Sequence, residues 1–96
     1  MIGSFRDNWL EAFFVDEVRS ARIPPDLDQR LFRKLQMLDD AAAEQDLRVP
    51  PSNHFEKLRG QLEGWHSIRV NKRWRLVFRW ADGEAGQVYL DDHGYR

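Results

Sequence analysis

Four arginines, Arg69, Arg73, Arg75 and Arg79, stand among apolar residues in the stretch GWHSIRVNKRWRLVFRW, residues 64–80. A guanidinium is a planar fork that holds phosphate through paired hydrogen bonds, so arginines gathered on one surface suit a phosphodiester. Groups able to move protons lie around that stretch: His54, Lys57, His66, Asp92, His93 and Tyr95. These residue types suffice for a metal-free reaction of RNA. The 2′-hydroxyl attacks the adjacent phosphorus once a base takes its proton, and an acid protonates the departing 5′-oxygen. Histidine titrates in the range needed for either transfer, and arginine or lysine stabilises the charge that builds on the phosphate oxygens.

Strand parity decides which of these groups can meet. WHSIRVN sets His66, Ile68 and Val70 against Trp65, Ser67 and Arg69. WRLVFRW sets Trp74, Leu76, Phe78 and Trp80 against Arg75, Val77 and Arg79. Burying both apolar sets on one face of a hairpin requires partners of equal parity, which favours Val70 opposite Trp74 and Arg69 opposite Arg75. Arg79 extends the same face. Like charges directly across a sheet repel, by a few tenths to about 1 kcal/mol, and an anion between them relieves the repulsion. The arginines have two other uses, lying over aromatic faces or pairing with Glu56, Glu63, Asp91 or Asp92. His66 shares its parity with Ile68, which equally fits a buried structural histidine, and His54 is expected as an exposed loop residue.

The elements that position this hairpin can be read from the rest of the chain. MIGSF reads as a short strand carrying Ile2 and Phe5. Trp9, Leu10, Phe13, Phe14 and Val18 recur at helical spacing. After the break at SARIPPDLDQ, Asp26 with Gln29 three residues on predicts an N-cap for a second helix. Leu27, Leu31, Leu35, Leu38 and Ala42 line its buried face, with Arg30, Arg33, Lys34 and Asp39 elsewhere. RVPPSN is a loop, FEKLRG is ambiguous because Phe55 and Leu58 differ in parity, ADGEAG is a turn, and QVYLDD is a last strand with Val88 and Leu90 inward. The order β-α-α-β-β-β-β predicts an α+β two-layer fold, two N-terminal helices on a small, mainly antiparallel twisted sheet.

Ninety-six residues make one domain, 1–96, with one core. With no cysteine there is no disulfide, thiol nucleophile or thiolate zinc site, and the three histidines lack close ligand spacing. No cofactor is implied. No apolar run is long enough for a signal peptide or membrane span, so a soluble cytoplasmic protein is expected. The net charge of −1 hides an asymmetry: residues 1–48 hold 7 Lys/Arg against 10 Asp/Glu, and residues 54–80 hold 7 against 2. Local basic charge suits engagement of phosphates at one place rather than along a duplex.

MIGSF with its following aromatic helix, RKLQMLDDA, DLRVPPSNHFEKLRG and above all GWHSIRVNKRWRLVFRW resemble HigB toxins, a branch of the RelE/ParE superfamily of bacterial toxin–antitoxin systems. The likeness covers nearly the whole chain and is most specific from Pro50 to Trp80. It implies a RelE-like fold and a ribosome-dependent, metal-independent endoribonuclease that cuts mRNA in the ribosomal A site. The implied partner is a HigA-like helix-turn-helix antitoxin, with operator DNA contacted only through the antitoxin and the basic face left open.

The resemblance also implies roles for single residues. Arg75 occupies the arginine of the family's WR strand motif, which approaches the scissile phosphate. Arg59 stands at the basic residue of an LKG segment. Glu56 replaces a histidine found in some HigB toxins, so that acid/base position does not transfer, and Lys57 is the neighbouring substitute. The usual ending DYH reads DDHGYR here: Asp92 matches the aspartate, while His93 falls at the tyrosine position and Gly94 at the histidine position. The expected catalytic set is therefore Arg75, Arg59 and Lys57, with His93 moving a proton, Asp92 orienting it and Tyr95 a further acid. Arg69, Lys72, Arg73, Arg79 and His66 are expected to bind RNA. Two other classes fit the superfamily: a non-catalytic ParE-like inhibitor of DNA gyrase, and a relic that only pairs with its antitoxin.

Overall fold

The computed structural model describes residues 1–92. Helices α1 (Asn8–Val15) and α2 (Asp28–Asp40) precede four strands, β1 (Glu56–Lys57), β2 (Trp65–Arg69), β3 (Arg75–Ala81) and β4 (Glu84–Asp91). The strands form an antiparallel meander in the order β1-β2-β3-β4. The N-terminal segment runs parallel to β4, with bridges from Ile2 to Ala85 and from Phe5 to Val88. This is the predicted α+β arrangement, mainly but not wholly antiparallel.

Helix α1 buries Leu10 and Phe13. It stops at Val15, and Glu17 turns into the left-handed region at φ 56°, so Val18 leaves the predicted stripe and is 54% exposed. Helix α2 starts at Asp28, two residues after the predicted cap. Leu27 occupies the N-cap position without a side-chain hydrogen bond, because Asp26 lies in a turn closed by Leu27 N–H on the Pro24 carbonyl at 3.0 Å. Leu27, Leu31, Leu35 and Leu38 are buried as the spacing predicts. The helix ends at Asp40, so Ala41 rather than Ala42 completes the face. Lys34, expected off this face, is buried at its margin.

FEKLRG resolves into the two-residue strand β1, pairing Glu56 with Ser67 and Lys57 with His66. The β3–β4 turn is tighter than ADGEAG: only Asp82 and Gly83 lie outside the strands, both left-handed at φ 54° and 77°, as two-residue hairpin turns require. Between the pairs Val77–Tyr89 and Arg79–Gly86 the register shifts, with Gln87 at φ 52° in the bulge.

One sheet face, carrying Ile68, Val70, Leu76, Phe78, Val88 and Leu90, joins the helices in the main core. The other face is not simply solvated. Leu58, Val77 and Tyr89 form a second cluster with Leu62 and Trp65, so the segment after β1 folds over half of the arginine-bearing face. The cluster leaves uncovered the end of that face nearest the β2–β3 loop, where Arg69 and Arg75 lie, while Arg79 is exposed at the other end.

Leu35 is fully buried between the layers. Leu35→Ala should cost about 2–5 kcal/mol, read as a lower urea midpoint at unchanged slope.

Candidate functional site

The β2–β3 register places Arg69 directly opposite Arg75, and Arg75 is in turn opposite Asp91 on β4. Val70 N–H donates to the Trp74 carbonyl at 2.9 Å, as the parity argument predicts. The loop between the strands is organised by Asn71, whose Oδ1 accepts from Arg73 N–H at 2.9 Å and Trp74 N–H at 2.8 Å. This side-chain turn leaves backbone carbonyls pointing toward Arg75. Arg75 Nη1 donates to the Asn71 carbonyl at 2.8 Å, with longer contacts to those of Trp74 at 3.3 Å and Lys72 at 3.4 Å. The guanidinium is buried and fixed by the hairpin that carries it. Arg69 is half-buried, and among the described residues its Nε has no hydrogen-bond partner. Asp91 Oδ2 is likewise buried, with no hydrogen-bond partner among the described residues.

Arg69 and Arg75 form one wall of a cleft of about 310 Å³, completed by His54, Phe55 and Glu56. His54 follows the short 3₁₀ turn Pro51–Asn53 in a left-handed conformation, φ 46° and ψ 50°, and leads into β1 beside β2. An imidazole, a carboxylate and two guanidiniums therefore line a single concavity. Such a set can hold a phosphodiester and exchange protons with it. His54 is exposed, as expected for a loop residue, but nothing in its spacing joins it to Arg69 and Arg75. The missing signal is long-range: the pairing of β1 with β2, Glu56 with Ser67 and Lys57 with His66, carries the loop to this wall.

The other predicted residues spread more widely. Arg79 shares the arginine face in register but lies over the Trp65 ring at 4.7 Å and does not line the cleft. Arg73 is exposed, near the Trp74 ring and 3.9 Å from Asp92. Lys72 is exposed in the same loop, and Arg59 is exposed after β1. Lys57 and His66 lie across the sheet from the cleft, on the helix-facing side. There Glu44 accepts from His66 Nε2 at 3.1 Å and pairs with Lys57 Nζ at 3.4 Å. His93 and Tyr95 lie outside the described residues. Among the described residues no group of histidine and acidic side chains could hold a metal ion.

His66 has the features of a structural histidine. It is buried, with Phe55 and Phe78 edge-on at 5.5 and 5.9 Å, and Nδ1 has no hydrogen-bond partner. Burial lowers its pKa; Glu44 opposes this and Lys57 adds to it. Although the Glu44 contact resembles an ion pair, a neutral imidazole with its proton on Nε2 satisfies it. Protonating Nδ1 would bury a donor without an acceptor, in keeping with the downward shift.

The family described as "RelE-like toxin of type II toxin-antitoxin system HigB" matches residues 3–93. The chain is 56% identical over 91 residues to "Toxin HigB-1" of Vibrio cholerae serotype O1, covering 95% of this chain and 96% of the relative. It is 31% identical over 93 residues to "Endoribonuclease HigB" of Proteus vulgaris, covering 97% and 99%. A crystal structure of a YafQ mutant from E. coli superposes with TM-score 0.65 at 14% identity, covering 98% of this chain and 96% of that one. That likeness supports the fold.

Two predictions follow from this geometry. Asn71→Ala removes both loop hydrogen bonds and should cost about 1–2 kcal/mol, whereas Asn71→Asp, which keeps the acceptor, should recover most of the loss in a urea melt. Because the folded-state pKa of His66 is lowered, the unfolded chain binds more protons at this site. Its contribution is therefore intact above the unfolded value, near pH 6.5, and is lost as pH falls through the folded one. Between pH 7.5 and 5.5 the unmodified protein should lose more stability than His66→Phe, and parallel losses would refute the assignment.

Proposed function

The chain belongs to the HigB family of RelE-like toxins of type II toxin–antitoxin systems, and from that membership we propose that it is an endoribonuclease cutting mRNA on the ribosome. The observation that carries this reading is the cleft that gathers His54, Glu56, Arg69 and Arg75. The name of the Proteus vulgaris relative agrees with it.

In this reading the scissile phosphodiester sits against the arginine wall. The 2′-oxygen attacks phosphorus, the bond from phosphorus to the 5′-oxygen breaks, and a 2′,3′-cyclic phosphate forms. Charge accumulates on the non-bridging oxygens as the fifth bond forms, and Arg75 is held by the loop carbonyls to meet it, aided by Arg69. A donor fixed before reaction costs no reorganisation during it. His54 carries out one of the two proton transfers, on O2′ or O5′. The other falls to the C-terminal segment, where His93 and Tyr95 follow Asp92. No metal ion takes part in this scheme.

The cleft is shallow and small, so the protein alone grips little of a transcript. Ribosomal positioning of the codon supplies the missing orientation, which is worth several kcal/mol or more when a reacting geometry is held in advance. The partner that restrains the toxin is a HigA-like helix-turn-helix antitoxin, which binds away from the cleft and carries any contact with operator DNA. The protein acts in the cytoplasm, and among the described residues no helix is long and apolar enough to cross a membrane.

Mapping 5′ ends of transcripts in translating extracts tests the proposal. Arg75→Ala should reduce cleavage about 100-fold or more, and His54→Ala by about 100-fold or more. Arg75→Lys, which keeps the charge but loses the fork, should fall between. Full cleavage by His54→Ala and Arg75→Lys would overturn the proposal, as would DNA breaks with intact transcripts.

A further inference from the structure

A second concavity, of about 430 Å³, opens between α2 and the β2–β3 loop. Arg30, Arg33 and Lys34 from the helix and Arg69 and Lys72 from the hairpin line it, and among the described residues no carboxylate does. None of these five cations forms an ion pair with a described residue, although four of the chain's other basic groups do. Arg30 with Arg33 and Arg30 with Lys34 are helix neighbours of like charge, an arrangement that weakens an isolated helix. The chain therefore maintains an unneutralised basic groove at some cost to itself.

Lys34 marks the groove as built rather than incidental. It is 7% exposed, and the partner of its ammonium is a neutral one, Asn53 Oδ1. Asn53 is fully buried and oriented by its own amide, which donates to the carbonyls of Leu47 at 3.1 Å and Val49 at 3.4 Å. Burial, Arg33 and Arg30 all lower the Lys34 pKa, the direction expected where the charge lacks a counter-anion. Arg69 lines both this groove and the cleft with His54 and Arg75. The two concavities thus meet at one guanidinium.

We propose that this groove binds a second backbone phosphate of the RNA strand whose scissile phosphate lies in the Arg75 cleft, with Arg69 between the two. The inference rests on the endoribonuclease reading and adds a path for the substrate. Arg30, Arg33 and Lys72 lie at the exposed rim and supply charge, and Lys34 anchors the floor. Contacts of this kind fix register and affinity without reading bases.

The test uses 2′-O-methylated RNA, which binds but cannot be cut by 2′-hydroxyl attack, and the full chain with Arg30→Gln and Arg33→Gln combined. Both residues are exposed, and a matching urea midpoint confirms folding. Fluorescence anisotropy is read against salt for a three-nucleotide and a nine-nucleotide strand. The variant should bind the longer strand at least 10-fold more weakly, with a shallower salt slope, while binding the shorter strand and message-free ribosomes as the unmodified protein does. Unchanged affinity for the longer strand would overturn the proposal. So would a loss confined to message-free ribosomes, which would assign the groove to ribosomal RNA. Failure of the endoribonuclease reading would show separately, as intact transcripts in translating extracts with the unmodified protein.

Discussion

Ile68 and Val70 share the helix-facing side of the sheet with Leu76 and Phe78, and the equal-parity register that puts them there sets Arg69 against Arg75. Slipping the register by one residue would relieve the two guanidiniums but turn a whole strand's apolar set outward. Each fully buried aliphatic or aromatic side chain is worth roughly 1.5–3 kcal/mol, whereas like charges across strands cost at most about 1 kcal/mol. Hydrophobic burial wins, and the positive pair is the consequence. The fold thereby sets two guanidiniums face to face across the hairpin.

The same hairpin limits how that cost is relieved. Arg75 spends Nη1 on loop carbonyls, an arrangement that depends on Asn71 closing the turn. These contacts fix the direction in which the guanidinium points. On the opposite face of the sheet, Glu44 pairs with Lys57 and His66. The helix-facing side therefore pairs its cations with Glu44, and the other side carries Arg69 opposite Arg75. The second cluster of Leu58, Val77 and Tyr89 separates Arg69 and Arg75, beside the loop, from Arg79 at the other end of the sheet.

Much of the fold was legible because it rests on local periodicity: the leucine stripe of α2, the alternation in β2 and β3, and the hairpin register all follow from spacing. The errors fell at edges, where one or two residues decide. Val18 left the α1 stripe once Glu17 adopted a left-handed turn, and Asp26 was drawn into a turn rather than a cap. Lys34 sits at the margin of a buried stripe, where its position alone does not reveal that Asn53 awaits it. The site was legible only in part. Arg69 and Arg75 followed from strand parity, but His54 reached them through a two-residue strand too short to have a period. Arg79 had the correct face and the wrong neighbours, since Trp65, directly opposite, offered its ring.

A cleft of about 310 Å³ has room for little more than one phosphodiester and its immediate surroundings, which raises the question of where binding energy for a transcript arises. Enzymes use contacts remote from the reacting bond to offset the cost of orienting it. In the proposed reading the remote contacts come from cations concentrated beside the cleft, since the first half of the chain is net acidic overall. Helix α2 brings Arg30 and Arg33 to the rim of the groove beside the hairpin, with Lys34 at the margin of its leucine stripe. One helix thus serves both layers of the argument: its apolar side fixes the sheet that opposes Arg69 to Arg75, and its basic side extends the field of that pair along the direction a strand would leave.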